Sequence, residues 1–137
     1  MKALVVEKSG TMRSVLRRML SMRGFEVAEA ENDRQAWDVL HGIGTADIVL
    51  VNWTPHESDN LEFIMKLRHE VANDVMVIML ATSEPVMREL YSALIAGADD
   101  YLITPFTSQQ MDEKLAKAGL IFRQGECCDW RGIPCRQ

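Results

Sequence analysis

The chain has 137 residues, the size of one ordinary domain, and can bury a continuous hydrophobic core without disulfides or metals as staples. Hydrophobic residues at 47% and charged residues at 26% are ordinary for a soluble globular protein, and no apolar run approaches the roughly 20 residues of a membrane-spanning helix. The net charge of −5 argues against a general nucleic-acid binder, and the opening Met1–Glu7 is too short in its apolar stretch for a signal peptide, so a cytoplasmic home is expected, with neither membrane nor nucleic acid as partner.

In chain order, Lys2–Val6 is a short β-branched run that fits a strand buried on both faces. Met12, Val15, Leu16, Met19 and Leu20 then recur at helical spacing, with Ser9 or Thr11 as N-cap and Gly24 as the stop. On the same segment Arg13, Arg17, Arg18 and Arg23 read as a solvated helix face. Phe25–Ala30 alternates apolar with polar, as a strand near a sheet edge does; Asn32 or Asp33 caps a helix carrying Ala36, Trp37, Val39 and Leu40, ended by Gly42 and Gly44. Asp47–Asn52 is a continuous apolar strand, followed by a polar loop from Thr54 to Asn60 and a helix with Leu61, Ile64, Met65 and Leu67 on one face.

The segment 75–81 is the longest apolar strand, which places it centrally; Thr82 to Pro85 turns into a helix bearing Met87, Leu90, Leu94 and Ile95, closed by Gly97. Tyr101–Ile103 is a short fifth strand, and Thr107 or Ser108 caps a last helix with Met111 and Leu115 inward. The methionines at 12, 19, 65, 76, 79, 87 and 111 read as core. After Gly119 periodicity is lost, so residues 1–120 form the domain and 121–137 a flexible, cysteine-containing tail. Cys127, Cys128 and Cys135 lie outside every periodic segment and are odd in number, which speaks against a disulfide framework; with no His or Cys at finger-like spacing they are expected reduced rather than metal-bound.

Five βα units in strict alternation predict an α/β fold, a doubly wound parallel sheet with helices on both faces. Periodicity alone does not fix the strand order, and among doubly wound sheets the flavodoxin-like 2-1-3-4-5 is the one expected. Ligands of such sheets bind outside the carboxyl ends of the strands, which here deliver Glu7 and Lys8, Asn52, Thr82 and Ser83, and Thr104-Pro105. The sequence has no Gly-rich phosphate loop and no Ser nucleophile elbow, and no paired-carboxylate constellation beyond the strand-end residues just named, so no enzyme is expected.

Leu4-Val5-Val6, Ser9-Gly10-Thr11-Met12-Arg13, Asp47–Val51, Leu61-Glu62-Phe63, Thr82, Ala96-Gly97-Ala98-Asp99-Asp100-Tyr101 and Pro105-Phe106-Thr107 stand in register from Lys2 to about Leu120. Through them the chain resembles the receiver domains of two-component response regulators, with chemotaxis-type single-domain receivers among the similar ones. The resemblance implies a domain that takes a phosphoryl group on an aspartate, using Mg²⁺ held by an acidic pair and a lysine that neutralises the phosphoryl oxygens. Carried over by position, the acceptor is Asn52, the acidic pair is Glu7 and Lys8, and the lysine is Thr104; the hydroxyl and aromatic switch residues are kept as Thr82 and Tyr101. Three carboxylates and a lysine give the family's pocket a charge of −2, whereas Glu7, Lys8, Asn52 and Thr104 together are neutral.

The resemblance therefore implies a phosphorylation-incompetent receiver without useful Mg²⁺ affinity. Its Lys8 ammonium is expected at or beside the metal position, paired with Glu7 and accepted by the Asn52 carbonyl. Thr82 and Tyr101 stand equally as a working switch or as packing residues. Pro105 matches a position commonly cis in the family, and Asn60 one commonly glycine, where asparagine tolerates a left-handed turn. The implied function is binding of signalling proteins, or of a second copy, through a helix four, strand five and helix five face carrying Leu90, Tyr91, Leu94, Tyr101 and Phe106. Alternatives are phosphorylation at His56 or Asp59, and a small-ligand or redox sensor that uses the pocket or the cysteines.

Overall fold

The structure, a computed structural model, describes residues 1–44, 46–53, 58–70, 76–84 and 86–121, together with the backbone of Cys127–Cys128 and Pro134–Cys135. By spatial contacts the chain divides into two compact units, Met1–Pro105 and Phe106–Gln137.

The first unit alternates strands and helices: β1 (Lys2–Val6), α1 (Gly10–Ser21), β2 (Glu26–Ala30), α2 (Asp33–Ile43), β3 (Ile48–Asn52), α3 (Ser58–Glu70), β4 (Val77–Thr82), α4 (Met87–Ala96) and β5 (Asp100–Ile103). All five strands are parallel in the order β2-β1-β3-β4-β5, the flavodoxin-like topology. A strand in the interior of a parallel sheet is covered on both faces, which is why β1, β3 and β4 are runs of Val, Ile, Leu, Met and Ala. Leu4, Val6, Val49, Val51, Ile78 and Leu80 share one core cluster with Ala36 and Leu40 of α2, Phe63, Ile64 and Leu67 of α3, and Leu90 and Ala93 of α4. The alternate residues Ala3, Val5, Ile48, Leu50 and Met79 are equally buried, as are Leu16 and Leu20 of α1. β4 is the longest strand, yet β3 holds the middle of the sheet, so a continuous apolar run marks burial on both faces rather than centrality.

Local signals set the helix ends. Ser9 caps α1 and Asn32 caps α2, each accepting from an amide three residues on, while Gly24 and Gly44 turn the chain out at positive φ. Two expectations are corrected. α3 begins at Ser58, so Asn60 is helical and no left-handed turn is required of it. Of the methionines read as core, Met76, Met79 and Met111 are buried, but Met65, one residue past the buried Ile64, and Met87, the first residue of α4, are exposed.

In the second unit α5 (Ser108–Lys117) starts with a capping box, Thr107 accepting from the Gln110 amide while the Gln110 side chain accepts from the Thr107 N–H. Its Met111 and Leu115 are buried. Beyond it, β6 (Cys127–Cys128) and β7 (Pro134–Cys135) pair antiparallel, in a segment without hydrophobic period.

Candidate functional site

The sheet register brings four strand ends to one edge: Val6 lies beside Val51, Asn52 beside Ala81, and Thr82 beside Ile103. Glu7, the first residue past β1, is therefore delivered next to Asn52, the last of β3. The Glu7 side chain is buried, and both of its oxygens accept: Oε1 from the Ser9 N–H at 3.1 Å and Oε2 from the Asn52 amide Nδ2 at 2.7 Å. A carboxylate needs donors when it leaves water, and an amide supplies one where a second carboxylate could not. Lys8 is exposed, and one Glu7 oxygen meets an amide delivered by β3.

A second layer fixes this corner. Arg13 on α1 donates from Nη1 to the Glu7 carbonyl at 2.9 Å, and its guanidinium lies 3.5 Å from Glu29 and 3.8 Å from Glu31 past β2. Arg17 adds a 3.8 Å contact to Glu29. The arginines expected to form a solvated face thus include one that joins α1, β2 and the loop carrying Glu7; helical spacing exposes no such cross-element partner. Trp53 donates its backbone N–H to Ala81 at 2.7 Å and buries its ring in the core, with Nε1 lacking a hydrogen-bond partner among the described residues.

Thr82 is fully buried at the end of β4. Its hydroxyl donates to the Glu84 carbonyl and accepts from the Glu84 N–H, both at 3.1 Å, so the loop after β4 closes on its own side chain. Its carbonyl accepts from Thr104 at 2.7 Å, and the Thr104–Pro105 bond is cis. Tyr101 is half-buried against the core cluster. His56 lies outside the described residues, as does the Asp59 side chain. No group of three His, Cys, Asp or Glu suited to a metal ion occurs among the described residues, and none of their helices is long and apolar enough to cross a membrane.

Residues 3–116 match the family model described as the response regulator receiver domain. The chain belongs to that family. A chemotaxis protein CheY homolog of Campylobacter jejuni is 37% identical over 116 residues, covering 84% of this chain and 89% of that protein. Chemotaxis protein CheY1 of Helicobacter pylori is 35% identical over 116 residues, covering 84% and 94%. Among solved structures, chemotaxis protein CheY4 of Vibrio cholerae superposes with a TM-score of 0.75 at 22% identity over 85% of this chain and 97% of that one, a likeness that speaks to fold alone. The protein is thus a chemotaxis-type receiver domain of two-component signalling.

On this receiver domain the residues expected to form a partner face separate. Leu90 is buried in the core and Leu94 half-buried against it, so neither is offered outward; Tyr91 is 67% exposed. The outward row of α4 is instead Met87, Tyr91 and Ile95, spaced four apart at 60%, 67% and 74% exposure. α4 carries apolar residues on two faces, and spacing alone cannot say which one meets the sheet. Phe106 opens the second unit and is half-buried.

A clamp absent from the sequence reading lies at the opposite end of β4. Arg68 of α3 donates to the Gly97 carbonyl from Nε at 3.1 Å and Nη2 at 2.8 Å, to Met76 O at 2.9 Å, and to Asp99 Oδ2 at 2.7 Å; that same Oδ2 accepts the Ile78 N–H at 2.8 Å. One guanidinium fork thereby gathers α3, β4 and the C-terminus of α4.

Proposed function

We propose that this receiver domain does not take a phosphoryl group at the acceptor position and acts by protein–protein contact. The observation that carries the reading is the 2.7 Å bond from Asn52 Nδ2 to the buried Glu7 carboxylate. At the end of β3 an acceptor must attack phosphorus with a carboxylate oxygen; a carboxamide is a poor nucleophile, and this one faces Glu7 with its N–H. Thr104 offers no cation to phosphoryl oxygens at the lysine position.

The donor set does not fit Mg²⁺. That ion dehydrates reluctantly and relies on carboxylate oxygens, whereas of Glu7, Lys8 and Asn52 only Glu7 supplies them, with both oxygens engaged and an ammonium next in sequence. Counted over Glu7, Lys8, Asn52 and Thr104 the strand ends sum to zero charge, and the Glu7 carboxylate is hydrogen-bonded by the protein's own groups. The Thr82 hydroxyl, committed as donor and acceptor to Glu84, and the inward packing of Tyr101 support a single loop arrangement that needs no metal. The exposed Met87, Tyr91 and Ile95 row supports a partner protein with an apolar surface, since large apolar side chains clustered on one helix face mark interaction sites.

Incubation with acetyl phosphate and Mg²⁺ followed by intact-mass measurement tests the phosphorylation half. The protein is expected unmodified, and a variant carrying Lys8→Asp, Asn52→Asp and Thr104→Lys is expected to gain a phosphoryl group. Mass gain on the unaltered chain, at His56, Asp59 or any other residue, would overturn the reading.

A further inference from the structure

The three cysteines are unused by the receiver site, and the backbone gives two of them a defined relation. In the β6–β7 ribbon Cys127 stands directly opposite Cys135, while Cys128 stands opposite Pro134. Directly opposed residues of an antiparallel pair have Cα atoms about 4.5 Å apart at non-hydrogen-bonded positions and about 5.5 Å at hydrogen-bonded ones. Both spacings fall inside the roughly 4.4–6.8 Å range that a disulfide spans without moving the backbone. Because successive strand residues alternate between faces, Cys128 is placed on the other face of the ribbon from Cys127 and its partner position. The register thus selects one pairing of the three that three cysteines allow.

We propose that Cys127 and Cys135 are a dithiol modification site that a peroxide oxidises to an intramolecular disulfide, with Cys128 remaining a thiol. In the first step one thiolate attacks a peroxide oxygen; the O–O bond breaks, hydrogen peroxide is reduced to water, and the sulfur becomes a sulfenic acid. In the second step the other thiolate attacks that sulfur, the S–S bond forms, and the sulfenic oxygen leaves with a proton as water. The net change is two thiols and one hydrogen peroxide to one disulfide and two waters. The product closes a short loop, Cys127 to Cys135, and converts a two-residue ribbon held by backbone hydrogen bonds into a covalent one. A thiol reductant such as dithiothreitol reverses the reaction by exchange.

The test uses the full chain, reduced, desalted, exposed to hydrogen peroxide and digested without reductant. The expected result is monomeric protein lighter by two hydrogen atoms, with the Cys127 and Cys135 positions cross-linked and the loss reversed by dithiothreitol. Cys127→Ser and Cys135→Ser are each expected to abolish the loss, and Cys128→Ser to leave it intact. A bridge to Cys128, cross-linking only between chains, or sulfinic acid without any bridge would overturn the assignment, and mapping on the unaltered chain decides this even if a variant misfolds. The outcome is independent of whether Asn52 is an acceptor.

Discussion

Asn52 and Glu7 face each other at hydrogen-bond distance, and the sense of that bond decides what the corner tolerates. Asn52→Asp replaces a donor with a second carboxylate against a buried oxygen, whereas Asn52→Ala removes the donor without adding charge. A buried acceptor left without its partner costs about 1–3 kcal/mol, and like charge adds to that cost. Urea unfolding at neutral pH is therefore expected to rank the proteins wild type, then Asn52→Ala, then Asn52→Asp, with the last destabilised by about 2 kcal/mol or more. An Asn52→Asp variant as stable as wild type without added metal would contradict the geometry. The residues at this corner were readable from the sequence, since strand ends in a doubly wound sheet deliver them there. The sense of the Glu7–Asn52 bond was not: strand ends alone do not say that the Asn52 amide donates to Glu7, which the Val6 to Val51 register and the 2.7 Å contact show.

The elements are held at the far end of β4 by Arg68 and by Gly97, where any Cβ meets both a strained backbone and the clamp. Gly97 ends α4 at φ +136°, and a Cβ there would stand 2.9 Å from Arg68 Cβ. Gly24 ends α1 at φ +86° with nothing within 4 Å of a Cβ. Gly24→Ala is accordingly expected to cost about 1 kcal/mol for the left-handed backbone. Gly97→Ala should cost about 3 kcal/mol, where strain and collision with the clamp combine. Arg68→Lys keeps the charge but loses the fork, so it should destabilise by about 2 kcal/mol, because a single ammonium cannot serve carbonyls of Met76 and Gly97 and the Asp99 carboxylate together. Equal costs for the two glycine variants in thermal or urea unfolding would count against this account. Helix and strand positions were legible wherever periodicity and caps agreed, as in α1, α2 and α5. Arg68 was not, since a lone arginine near a helix end looks like any solvated residue until three elements converge on it; the Met87, Tyr91 and Ile95 row was missed for the related reason that α4 is apolar on two faces.

At the scale of the molecule, the alternation of five apolar runs with five helical segments was enough to read the doubly wound sheet. Its order, which periodicity does not fix, was chosen among doubly wound sheets and is the one the strand pairing has. Long-range contacts in such a sheet are dictated by burial and by right-handed crossovers, both of which leave their mark on composition. The β6–β7 ribbon left no such mark, because two-residue strands carry too few side chains to show a period. What the receiver domain does with its strand ends depends on charge: one buried carboxylate satisfied by an amide and a backbone N–H, with no lysine at the Thr104 position. The most direct measurement is amide NMR of the full chain titrated with Mg²⁺ and then with beryllofluoride, a phosphoryl mimic. Resonances of Glu7, Asn52, Thr82 and Thr104 are predicted to stay in place at millimolar Mg²⁺ with or without the mimic. Saturable shifts converging on those four residues would show a pocket that still binds metal and phosphoryl group, and would contradict the account.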